Sequence, residues 1–416
     1  MKHKLFPAAL LLLVACNQNP NNTNDEKMNY PQTRMDNTVD TYFGTQVSDP
    51  YRWLEDDRSA ETAQWVKAQN DFTFGYLSKI PYRQAIKEKL EKLWNYEKLS
   101  APFTEGDYTY YYKNDGLQNQ SVLYRKDKEG KEEIFLNPNT FSKDGTTSLG
   151  DVAFSEDGSL VAYLISEGGS DWRKGIVLDA KTKKAIGDTL VDIKFSSIAW
   201  KGNEGFFYSS YDKPKGSELS AKTDQHKLYY HKLGTSQKSD KLIFGGTPAE
   251  KYRYVSGTVS NDGKYLFISV ANATSGNKLF VKDLSNPKSS LVTITNNFDG
   301  DTGFVNNQGT TLFLETNINA PNGCLVKVDF KNPQPEHWQD VIPETKNVLS
   351  ITTAGKYLFA KYMVDALSQV KQYDYEGKLI REVKLPSIGS AGGFYAKKDE
   401  THTYFSFTNY AYPTQI

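Results

Sequence analysis

The chain has 416 residues, with 50 Lys+Arg balanced by 50 Asp+Glu and 38% hydrophobic residues. That length holds one large or two ordinary domains. The charge balance excludes a basic surface built for nucleic acid and an acidic tail built for a basic partner, and the apolar fraction excludes a polytopic membrane protein. The 27 tyrosines and 22 phenylalanines lean towards β structure, because aromatic side chains favour a pleated, half-buried surface. Cys16 and Cys324 are the two cysteines, too few for a disulfide framework or a Cys-based metal centre.

Residues 1–16 begin with Lys2 and Lys4 and continue in an apolar run from Leu5 to Ala15. The run is too short to span a membrane and fits a secretory signal. Its end, Leu13-Val-Ala-Cys16, resembles a bacterial lipobox, in which Cys16 is acylated and becomes the new N-terminus. An ordinary signal peptide with a coincidental cysteine is the plainer reading. Residues 17–27 are Asn-rich and polar, and a stretch with so little apolar surface reads as a tether. The expected location is the bacterial cell envelope, lipid-anchored and facing the periplasm.

Residues 28–97 are expected to form a helical N-terminal segment. Ser59 is a good N-cap with Glu61 in the first turn. Pro81 breaks the pattern, and Ile86, Leu90, Leu93 and Trp94 then form one apolar stripe.

From residue 98 to 416 the pattern is a repeat: a polar turn containing Gly, then a short aromatic-rich strand. Examples are Phe154-Ser-Glu-Asp-Gly-Ser-Leu-Val-Ala-Tyr163 and Val259-Ser-Asn-Asp-Gly-Lys-Tyr-Leu-Phe-Ile268. Asp-Gly between strand-like runs is a strong hairpin signal. The unit recurs at roughly 40–60 residues, the period of propeller blades. The expected fold is mainly β, a seven-bladed propeller preceded by a short helical segment. A β-sandwich or two β domains would explain the strands but not the period. The last unit is expected to be cut short at Ile416.

Catalytic chemistry is not legible in these residues. No Gly-x-Ser-x-Gly elbow occurs; at Gly168-Gly-Ser-Asp-Trp172 the tryptophan stands where the second glycine belongs. His226 and His231 are five apart around a strand-like run, which suits no zinc spacing. Asn297-Phe-Asp-Gly-Asp-Thr-Gly303 reads as a polar turn rather than a calcium loop. No cofactor, metal site or nucleic-acid partner is expected, and Cys324 reads as a buried strand thiol.

Several motifs carry a resemblance. Asp49-Pro-Tyr-Arg-Trp-Leu-Glu-Asp56, Gly116-Leu-Gln-Asn-Gln-Ser-Val-Leu-Tyr124, Gly169-Ser-Asp-Trp172, Lys194-Phe-Ser-Ser-Ile-Ala-Trp200, Gln225-His-Lys-Leu-Tyr-Tyr-His231 and Phe405-Ser-Phe-Thr408 occur in the order seen in the prolyl oligopeptidase family of serine peptidases. Over about residues 30–416 the chain resembles that family's N-terminal segment and propeller. The resemblance implies a propeller that gates peptide access to a C-terminal α/β-hydrolase domain, with residues 28–97 packing on that domain. It further implies a proline-binding region to which Phe195, Tyr254, Ala271 and Thr274 contribute. Ala271 and Thr274 depart from the Arg and Cys of mammalian-type members, and Phe195 also fits an ordinary core aromatic. The 416 residues alone, lacking a Ser/Asp/His triad, are expected to hydrolyse nothing. The second reading is a stand-alone propeller lipoprotein that binds a ligand or protein.

Overall fold

The computed structural model describes residues 28–187, 189–214, 219, 223–245, 247 and 251–416. Cys16, the signal segment and the tether lie outside the described residues. Residues up to Arg83 and residues from Gln84 onward form two compact units.

In the first unit, a hairpin of strands Val39–Tyr42 and Thr45–Ser48 precedes a short 3-10 turn, Arg52–Glu55. The segment expected to be helical over 28–97 thus opens with a β-hairpin ahead of its two helices. Val39, Thr41, Thr45 and Val47 are β-branched, and Phe43 and Gly44 take the positive φ of a tight hairpin turn, 52° and 85°. Helix α1, Ala60–Ser78, starts where expected, with the Ser59 hydroxyl accepting from the Thr62 amide at 3.0 Å. Its chain leaves the helix ahead of Pro81, and α2, Arg83–Trp94, follows. The stripe of Ile86, Leu90, Leu93 and Trp94 on α2 is exposed.

The rest of the second unit is seven separate antiparallel sheets, each built from consecutive strands. We number these blades 1 to 7: strands within residues 98–136, 147–194, 199–245, 254–295, 302–342, 348–383 and 390–415. Blades 2 to 6 have four strands each, and blade 7 has three among the described residues. No strand is shared between blades 1 and 7.

Apolar side chains fill the spaces between blades. Tyr110 and Leu123 of blade 1 meet Val161 and Leu178 of blade 2. Leu164 and Val177 of blade 2 pack with Trp200 and Phe206 of blade 3. Four further clusters join blades 3 and 4, 4 and 5, 5 and 6, and 6 and 7. Cys324, buried in blade 5, is one of these core side chains, and burial pushes its thiol up to about 11. Between blades 7 and 1 no such cluster forms among the described residues. There the Lys397 ammonium meets the Glu105 carboxylate at 2.5 Å.

The Gly-containing turns are also joined laterally. In blade 2, Ser155 Oγ donates to Asp157 Oδ1 at 3.0 Å, and Asn203 of blade 3 donates to Asp157 Oδ2 at 2.6 Å. Blades 4 and 5 repeat this with Ser260, Asp262 and Asn307, at 2.6 and 2.7 Å. Partial burial alone would raise the Asp157 carboxyl, but donors from Ser159, Asn203 and Ser155 outweigh it and hold the group at about 2. Gly158 sits at φ 72°, and a Cβ there would collide with the Gly106 backbone of blade 1. Glycine is thus required twice over, for its conformation and for the closeness of the two turns.

Candidate functional site

Seven blades set round a ring leave an axis between them. A cavity of about 930 Å³ opens along that axis, bordered by Glu105, Ser155, Trp200, Val259, Asn307, Thr353 and Tyr395, one residue from each blade. The turns carrying Gly202, Gly263, Gly309 and Gly355 border the same space.

Tyr254 opens the first strand of blade 4, Tyr254–Val259, whose far end reaches the channel lining at Val259. Five residue steps at about 3.3 Å each put Tyr254 roughly 17 Å from that end. Phe195 follows the last strand of blade 2, Leu190–Lys194, directly. The two rings lie with centroids 6.0 Å apart and planes at 58°. Phe195 is 45% exposed and Tyr254 40% exposed, so neither is a core aromatic. Ala271 is the cross-strand partner of Tyr254, and Thr274 lies exposed in the loop that follows. The structure therefore brings Phe195 and Tyr254 into contact and places Ala271 beside Tyr254, with Thr274 three residues further on.

Phe195 holds a left-handed backbone, φ 50°. For a bulky residue that conformation persists only when the surroundings enforce it. The enforcing contacts come from two buried residues that sequence reasoning passed over. His226 is fully buried; its Nε2 meets the Lys194 carbonyl at 2.9 Å, and the Val255 amide donates to its Nδ1 at 2.8 Å. An amide only donates and a carbonyl only accepts, so the imidazole is the neutral tautomer with its proton on Nε2. It thereby ties the residue before Phe195 to the residue after Tyr254. Burial depresses its pKa to about 4, with the Lys194 carbonyl opposing in part.

Tyr211 stacks on His226 with centroids 4.3 Å apart, meets Phe195 edge-on at 6.2 Å, and donates its hydroxyl to the Arg253 carbonyl. Burial pushes its phenol up to about 12. His226 was readable only as a strand histidine, and nothing in the local pattern marks Tyr211. Their roles depend on the meeting of blades 2, 3 and 4.

The remaining motifs are structural. His231 is buried, with Nδ1 2.8 Å from Asp240 Oδ1, while Tyr208 donates to Asp240 Oδ2 at 2.9 Å. Ser170 Oγ accepts from the Trp172 amide at 3.1 Å, closing a turn. Asp301 in the acidic loop accepts from the Gly276 amide at 2.8 Å and from Asn317 at 3.2 Å.

Comparison with known proteins fits this architecture. The family model for the prolyl oligopeptidase N-terminal beta-propeller domain matches residues 30–416. A prolyl endopeptidase of Elizabethkingia miricola is 56% identical, over an alignment covering 100% of this chain and 59% of the relative. A prolyl endopeptidase of Dictyostelium discoideum is 31% identical, with 93% and 60% covered. Among solved structures, prolyl oligopeptidase B from Galerina marginata, bound to a 25mer macrocyclization substrate, superposes with a TM-score of 0.82 at 28% identity, covering 93% of this chain and 58% of that one. The chain thus spans less than two thirds of the length of these relatives.

Proposed function

Because the chain belongs to the prolyl oligopeptidase family, whose N-terminal β-propeller it carries over residues 30–416, we propose that it is the peptide-admitting part of a proline-specific endopeptidase. Hydrolysis is assigned to a C-terminal α/β-hydrolase domain. The observation that carries this reading is the half-exposed Phe195–Tyr254 pair, held by the buried His226, with Tyr254 on a strand whose far end borders the axial channel. An extended peptide fits such a channel, whereas a folded protein does not. A proline ring is compact, apolar and lacks an N–H donor, so two tilted aromatic faces can bind it without leaving a polar group unpaired. Ala271 and Thr274 leave the neighbouring wall small.

Substituting Phe195→Ala should weaken binding of a proline-containing peptide by about tenfold or more, the loss typical of an aromatic anchor. Isothermal titration checks this, with circular dichroism confirming the fold, and an unchanged affinity in a folded variant would remove Phe195 from the site. Lipid attachment at Cys16 in the envelope is part of the same proposal, supported by Leu13-Val-Ala-Cys16 after a basic and apolar leader. Mass spectrometry of protein from its native host should find an acylated Cys16 as the first residue; any other N-terminus contradicts it.

A further inference from the structure

Lys194 stands apart from every other lysine close to the aromatic site. It ends the last strand of blade 2, directly before Phe195, and is only 7% exposed. Its ammonium lies 4.9 Å from the centroid of Trp172, its cross-strand partner, and 5.2 Å from that of Phe195. Two aromatic rings thus flank one cation. Among the described residues it meets no carboxylate and no hydrogen-bond acceptor. The nearby lysines are paired: Lys213 with Asp192 at 3.1 Å, Lys227 with Asp212 at 2.6 Å and Lys251 with Asp224 at 3.2 Å.

A buried cation without a counter-charge is costly, and ring faces offset that cost only in part, because they supply no hydrogen-bond acceptor. The other strongly buried cation with a full set of partners shows the contrast. Arg125, 2% exposed, pairs with Glu133 and donates to two carbonyls. The Lys194 ammonium is also not among the sealed, unpartnered polar atoms, which are Tyr110 Oη, Arg173 Nε, Tyr230 Oη and Tyr265 Oη. The ammonium is thus not fully sealed from solvent, and it lies 5.2 Å from the Phe195 ring centroid. Arg253, next to Tyr254 and exposed, likewise pairs with no carboxylate among the described residues, so the surroundings are electropositive.

We propose that Lys194 is the anion-binding element of this site and takes a carboxylate of the bound peptide, either an acidic side chain or the C-terminus. The inference rests on the peptide-binding reading for its ligand, but not for the anion site itself. The flanking rings of Trp172 and Phe195 fix the stem, so the ammonium is ordered before the ligand arrives. The aromatic pair would then take the apolar part of the peptide and Lys194 its negative charge. The consequence is a preference for acidic over neutral peptides that weakens with salt.

Two measurements test this separately. In the first, N-acetylglycine and its uncharged amide are titrated into the protein while the Trp172 indole N–H resonance, identified through Trp172→Phe, is followed by NMR. The carboxylate should shift the resonance and the amide should not, and Lys194→Met should abolish the response. No carboxylate-specific shift in the wild type overturns the anion site and leaves the peptide-binding reading untouched. In the second, two proline peptides differing only by Glu for Gln are compared by titration calorimetry. The Glu peptide should bind about tenfold more tightly, the worth of one charge-assisted hydrogen bond. Lys194→Met should bring the two within about twofold, while Lys194→Arg retains the preference. If the small carboxylate binds but the peptides are not distinguished, or neither peptide binds, the peptide is overturned as the source of the charge.

Discussion

Lowering the pH from 7 towards 4 should destabilise the propeller through His226, and His226→Asn should remove that part of the loss. The imidazole is buried, neutral and held between the Lys194 carbonyl and the Val255 amide. Its folded pKa, about 4, lies below the ordinary 6.5. Between those values the unfolded chain binds a proton that the folded one refuses, so stability rises with pH across the window. The contribution is complete above about pH 6.5 and is lost as pH falls towards 4. A shift of this size corresponds to about 3 kcal/mol. Asparagine can keep a donor and an acceptor but does not titrate, so the comparison isolates the imidazole from carboxylates that titrate in the same range. One of these, Glu105, is raised chiefly by burial and works in the opposite sense. Denaturant midpoints at a series of pH values would decide; parallel profiles for wild type and variant would show that His226 does not set the acid limb. The fall attributable to Asp157, held at about 2, belongs below about pH 4 and does not overlap.

The largest stability loss from a single truncation outside the aromatic core is expected at Arg125. Its guanidinium lies 4.0 Å from the Tyr108 ring centroid and 5.1 Å from that of Phe135. It bonds Glu133 at 2.6 Å, donates to the Ala180 carbonyl of blade 2, and reaches the Lys181 carbonyl at 3.1 Å. Lys183 of blade 2 returns the bond to Glu133 at 2.9 Å. Blades 1 and 2 are thus joined by a polar network at the rim of their shared apolar core. Arg125→Ala leaves two inter-blade carbonyls without their donor and opens a cavity, a cost of about 2–5 kcal/mol. Arg125→Met refills the volume but not the hydrogen bonds, and should recover only part of it. Thermal and denaturant unfolding would read both, and a methionine variant as stable as the wild type would mean that packing, not bonding, is what Arg125 supplies.

The blades were legible because each announces itself locally. An Asp-Gly or related turn between short aromatic strands is a short-range signal, and its period needs no tertiary information. Ser59 and Pro81 marked the helix start and the helix break for the same reason. The hairpin around Phe43-Gly44 was missed because its strands are four residues long and mostly exposed, which leaves almost no alternation to read. At the aromatic site, Phe195 and Tyr254 came from resemblance, whereas His226, Tyr211 and Lys194 came from the fold. A histidine that bridges the backbones of two blades has no sequence signature, and a lysine held between a cross-strand ring and the ring next to it in the chain shows only once the strand register is known.

The seam between blades 7 and 1 makes the ring, energetically, a strip with two ends. Among the described residues, six of the seven junctions are filled by apolar clusters, and the seventh carries the Lys397–Glu105 ion pair. In a stack of repeats whose stability is a sum over neighbours, an interior blade has two packed faces and an end blade has one. Blades 1 and 7 are therefore the first candidates for local opening, and blade 4, farthest from the seam in both directions, is the last. Any force that widens the channel is relieved where the least apolar surface must part. The molecule can thus loosen at one defined place while the blades that carry Phe195 and Tyr254 remain in register.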